Sequence, residues 1–89
     1  MRFGDKLTPT QKAVADELHR RTLAAKKEIF SSNTLREYGL DRKLDKPWEI
    51  GRFFMALQRV GLAVHVGHTR SNAPEAHGDE IRTWRWAEP

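Results

Sequence analysis

Residues 47–61 read PWEIGRFFMALQRVG. At about 100° per residue, Ile50, Phe53, Phe54, Leu57 and Val60 fall within about 120° of one another, so one side of a helix is apolar enough to enter a core. Pro47 suits the first helical position because its missing N–H would have no partner there, and Glu49 sets an acid in the first turn. Gly61 tolerates the left-handed backbone that closes a helix. The opposite side carries Trp48, Arg52, Met55 and Arg59 within about 60° of each other. The expectation is a helix over 47–60 with a buried stripe and a cationic, aromatic strip facing away from it.

On either side of this helix the pattern changes. After Gly61 the apolar period drops to two, with Leu62, Val64 and Val66 alternating with Ala63, His65 and Gly67, as in a half-buried strand. Residues 81–86 repeat that pattern, with Trp84 and Trp86 on one face with Arg82, and Ile81, Thr83 and Arg85 on the other. Thr69 to Asp79, which includes Ser71, Asn72, Pro74 and Gly78, then forms the tip of an antiparallel hairpin. Upstream, Leu40 to Asp45 reads as a polar connector. Before it, a short helix over 32–38 carries Leu35 and Tyr38 on its inner side, starts at a Ser31 cap and stops at Gly39. Ile29 and Phe30 form a short extended bridge. Thr8, Pro9 and Gln11 announce the first helix by a capping box with proline at its first position, and Gln11, Val14, Leu18, Thr22 and Ala25 step along its inner stripe. Leu23 falls off that stripe, either as an ordinary exposed leucine or as a homodimer contact. The predicted core is Val14, Leu18, Ile29, Leu35, Ile50, Phe53, Phe54, Leu57, Leu62, Val64 and Trp84.

Composition limits what this chain can do. With 89 residues, 38% apolar and 31% charged, it suits one small domain over residues 1–89, too small for two lobes around a cleft. The absence of cysteine excludes disulfides, thiolate zinc sites, iron–sulfur clusters and a cysteine nucleophile. The longest apolar run, Phe53 to Leu57, is far too short to cross a membrane, and Asp5 and Lys6 interrupt any secretory leader. A soluble protein in the cytoplasm or another intracellular compartment is expected. The net charge of +4 and pI near 9.9 suit a polyanionic partner. The excess is clustered: Arg20 to Lys27 holds four bases and no acid, and Arg42 to Arg59 five bases against two acids.

The order of helix, short strand, short helix, connector, long amphipathic helix and hairpin resembles the winged helix-turn-helix superfamily. The resemblance is carried by Phe30, Ser31, Leu35, Arg36, Tyr38 and Gly39, by the stripe ending in Gly61 and Leu62, and by Trp84, Arg85 and Trp86. It implies an α+β fold of three helices, a short strand after the first, and a C-terminal β-hairpin wing over 62–86. It further implies that the third helix enters a DNA major groove while the wing touches the neighbouring groove or backbone. This sequence departs from the simplest pattern in its long connector, with Arg42, Lys43 and Lys46, and in a polar wing tip. The tip's only base is Arg70, beside Glu75, Asp79 and Glu80.

Double-stranded DNA is therefore the expected partner, with a protein-interaction module within a larger assembly as the alternative and a protein partner or homodimer as a further possibility. Arg52 and Arg59 are candidates for guanine edges and Gln58 for adenine, Lys43, Lys46 and similar bases suit phosphates, and Arg42, Arg70 and Arg82 are further DNA-binding candidates. Trp48 either meets the partner with Met55 or folds back over the connector. Ser32 and Asn33 open the second helix, where small polar groups either hold a phosphate oxygen or simply cap. His65, His68 and His77 invite a metal reading, but His65 and His68, three apart on a strand, are expected on opposite faces, which opposes shared ligation. No catalytic grouping, phosphate-cradling glycine loop or paired carboxylate appears, so no enzymatic activity and no cofactor are expected.

Overall fold

The computed structural model describes residues 7–72 and 79–87; the expectations for Glu75 and His77 lie outside them. Three helices pack against a three-stranded antiparallel sheet, an α+β arrangement. In chain order the elements are α1 (Pro9–Ala24), β1 (Ile29–Phe30), α2 (Ser32–Glu37), a 3-10 turn (Leu40–Lys43), α3 (Pro47–Arg59), β2 (Ala63–Arg70) and β3 (Glu80–Trp86). The strands lie in the order β1-β3-β2. Among the described residues, no helix is long and apolar enough to cross a membrane.

The local signals produce the helix ends expected of them. Gln11 N donates to Thr8 Oγ1 and Thr8 N to Gln11 Oε1, both at 3.0 Å, so the capping box of α1 satisfies two otherwise orphaned donors. Ser31 and Thr34 make the same reciprocal pair on α2. Gly39, at φ +72°, and Gly61, at φ +82°, take the left-handed positions that follow α2 and α3. After α3, Gly61 N donates to Gln58 O at 3.1 Å and Leu62 N to Leu57 O at 2.9 Å, the paired bonds that close off the last carbonyls. α1 ends at Ala24, so Ala25 caps the helix and is exposed instead of extending the stripe.

The core gathers Val14, Ala15 and Leu18 of α1, Phe30, Leu35, Phe53, Phe54 and Leu57, with Ala63 and Trp84 from the sheet. Phe54 lies against the Trp84 ring, with centroids 5.6 Å apart and planes 6° from parallel, and meets Phe53 edge-on at 5.2 Å. Leu40 and Leu44 are buried too, so the connector is no polar link. Its 3-10 turn brings both leucines beneath the domain while Arg42 and Lys43 stay outside.

The sheet corrects part of the expected core. Ile29 and Val64 both pair with Arg85, one on each side of β3, and this row lies on the outer face of the sheet, leaving Ile29 42% and Val64 39% exposed. Phe30 and Ala63 are buried instead, because they stand on the side that Trp84 and Trp86 fill. Opposite Trp86 the strand carries only a methyl group, while Leu62 and Ile50 pack half-buried at the edge of the cluster.

A second correction concerns the histidines. Register slips between His65 and Gly67, leaving Val66 as an extra, exposed residue. One inserted residue reverses the alternation beyond it, so His65 and His68 share a face, with rings 5.0 Å apart. No third side chain able to ligate a metal joins them among the described residues.

Candidate functional site

α3 presents its outward strip intact. Trp48 is 60% and Met55 41% exposed, and Arg52 and Arg59 are exposed beside them. Trp48 does not fold back over the connector; the Lys46 ammonium stands 5.9 Å from its ring centroid, within reach of a weak cation–π attraction. Glu49 Oε1 lies 3.8 Å from Arg52 Nη1, but the Arg52 side chain is 72% exposed, so water and salt screen the pair and the guanidinium keeps most of its hydrogen-bonding capacity.

β3 adds to this strip. Arg82 Nη1 donates to Met55 Sδ at 3.3 Å, which lays the guanidinium beside the middle turn of α3. Its register partner His68 stands next to it, and Arg70 and Glu80 pair two positions further along the hairpin, beyond Thr69 and Ile81. Bases that are distant in sequence, Arg52 and Arg59 on α3 and Arg82 on β3, therefore share one exposed surface. Arg42, Lys43 and Lys46 are exposed ahead of α3.

Ser32 and Asn33 have a different occupation. Asn33 Nδ2 donates to the Arg70 carbonyl at 2.8 Å, while Asn33 Oδ1 accepts from Asn72 N and from Arg36 Nη2, each at 2.8 Å. Arg36 Nε donates to Asn72 Oδ1 at 2.7 Å, and its Nη2 also approaches Ser71 Oγ at 3.2 Å and Ser32 Oγ at 3.5 Å. The amide of Asn33 is thus spent on holding the end of β2 against α2. Arg36, absent from the expected site, is the centre of this tie. The spacing of Asn33 and Arg36 puts them on one helix face, but nothing local announces that residues 70–72 will meet them.

No family model, curated protein or solved structure matches this chain.

Proposed function

We propose that this protein is a winged-helix binder of double-stranded DNA, acting as a transcription regulator or an accessory factor of another DNA transaction. In this reading α3 lies in the major groove and the β2–β3 hairpin serves as the wing on the adjacent groove or backbone. The contact of Arg82 with Met55 carries the proposal, because it joins a hairpin base to the exposed strip of Trp48, Arg52 and Arg59. A two-element cationic surface of this kind suits a duplex better than a single solvated helix face does. The strand order β1-β3-β2, with the hairpin last in the chain, supports the same reading.

Arg52 lies in the N-terminal half of α3 and is assigned to base edges; Arg59, about two turns further along, is assigned to the backbone. Lys43 and Lys46, with Arg42, neutralise phosphates. The test is fluorescence anisotropy on a selected duplex and on random duplexes at two salt concentrations. Arg52→Ala should cost about 1–3 kcal/mol on the selected site and far less on random DNA, whereas Arg59→Ala should weaken both alike. Removing Lys43 and Lys46 together should lower the salt slope by roughly 2, since each phosphate contact contributes about 0.9. Absence of binding at low salt would refute the proposal. It would favour a protein-interaction module, for which the exposed Trp48 and Met55 would be the apolar anchors.

A further inference from the structure

A second surface lies away from the α3 strip. Arg82 and Arg85 are three residues apart on an uninterrupted strand, so Arg85 leaves the sheet on the face opposite the one where Arg82 touches Met55. Around Arg85, the last turn of α1 and the end of β3 line an open groove of about 530 Å³. Its apolar part is Leu23, 63% exposed, and the ring of Trp86. That ring is held in place. Its Nε1 donates to Thr22 Oγ1 at 3.0 Å, Phe30 packs 4.5 Å from it and His19 meets it edge-on at 5.0 Å. The rim is cationic, with Lys26, Lys27 and Arg85 against Glu28 as its one acid.

Lys26, on the same rim, has a left-handed backbone. α1 closes with the same pair of bonds as α3: Lys26 N donates to Leu23 O at 3.1 Å and Lys27 N to Thr22 O at 2.9 Å. The left-handed residue is Gly61 after α3, but it is Lys26, at φ +56°, after α1. A side chain there is strained where glycine would not be. Strain kept at the rim of a groove points to a use for the side chain that creates it.

We propose that this groove docks a short acidic segment of a partner protein that also carries one or two large apolar side chains. The apolar groups would lie on Leu23 and Trp86, and the carboxylates would meet Lys26, Lys27 and Arg85. A second copy of this chain fits worse, because a two-fold contact pairs this patch with itself and brings two cationic rims together. Docking here does not depend on α3 and is compatible with a duplex bound to it.

The test titrates the full chain with a labelled synthetic peptide in which aspartates alternate with leucine and phenylalanine. Two control peptides replace the acids by lysine or the apolar residues by serine. The acidic apolar peptide should bind and shift the Trp86 indole and Leu23 methyl resonances, and both controls should bind at least about tenfold more weakly, the scale of one lost anchor or close charge pair. Leu23→Ser, Lys27→Glu and Arg85→Glu should each weaken it by about tenfold without lowering Tm, as all three residues are exposed. Lys26→Gly should raise Tm yet weaken the peptide, a pairing that a purely structural role for Lys26 would not produce. The proposal is overturned by no binding at saturating peptide, by equal binding of either control, or by resonance shifts centred on Trp48 and Met55. Dimerisation of the chain alone that Leu23→Ser abolishes would assign the groove to a second copy and also overturn it.

Discussion

Replacing Asn33 by alanine should loosen the end of β2 without unfolding the domain. The substitution removes the bonds to the Arg70 carbonyl and from the Asn72 amide, both at 2.8 Å, and the acceptor that steadies Arg36. In this half-exposed setting each bond to the 70–72 backbone is worth about 0.5–1 kcal/mol net, because water replaces what is lost. Two of them amount to about 1–2 kcal/mol of local closing free energy, a factor of roughly 5–30 in the open population. Arg36 would still reach Asn72 Oδ1, so the segment should open more often without detaching altogether. Native-state hydrogen exchange by NMR reads this at the Ser71 amide, which donates to the Asp79 carbonyl at 2.8 Å and keeps its acceptor in the variant: it should exchange about 5–30-fold faster, while the Leu57 amide in the core helix should not change. Asn33→Asp keeps the acceptor for Asn72 N and Arg36 but sets a carboxylate oxygen against the Arg70 carbonyl, so it should still speed exchange at Ser71. Unchanged exchange at Ser71, or equal acceleration at Ser71 and Leu57, would refute a local tie between α2 and the hairpin. In the DNA-binding reading the same loosening should weaken duplex affinity by up to the same factor, because binding would have to re-order the segment.

Three further outcomes are expected. Phe54→Ala strips the ring that lies between Phe53 and Trp84 and should cost about 3–5 kcal/mol, much of the roughly 4–13 kcal/mol available to a domain this size, as chemical denaturation would reveal. Gly51 is helical, exposed and has open space where a methyl group would stand, so Gly51→Ala should stabilise by about 1 kcal/mol and raise Tm by about 4–8 °C. The Glu17 carboxyl is held below its usual range first by its hydrogen bond from Arg20, at 2.6 Å, and then by the charges of Arg20, Arg21 and Lys43. A depressed carboxyl pKa adds stability that is present above the unfolded value and is lost as pH falls through the folded one. The small Tm advantage of wild type over Glu17→Gln should therefore exist at neutral pH and vanish in acid.

The helix ends and the α3 stripe were legible in the sequence because their causes lie within a few residues. Thr8 caps Gln11, Ser31 pairs with Thr34, and Phe53, Phe54, Leu57 and Val60 come into line through helical geometry alone. The strip of Trp48, Arg52, Met55 and Arg59 follows from the same geometry, since whatever faces away from a buried stripe faces outward. Leu40 and Leu44 were missed for a different reason. Two leucines among charged neighbours have no clear period, and only the turn that the chain makes there carries them inward.

Chain order, capping and the faces of the helices were properties of the sequence alone, because contiguous residues decide them. Which faces of β1 and β2 are buried was not, although the buried Trp84 face of β3 was read from its alternation. Ile29 and Val64 flank Arg85 on the outer face, and Ala63 rather than Val64 sits inside, because the tryptophans of β3 had already filled the inner one. The extra residue at Val66 then brings His65 and His68 together and sets His68 across from Arg82. The meeting of Arg82 with Met55, and of Arg36 and Asn33 with residues 70–72, likewise joins groups 27 to 39 positions apart. Strand parity changes with a slip of one residue, and only pairing between distant segments fixes that register, so these contacts belong to the tertiary structure.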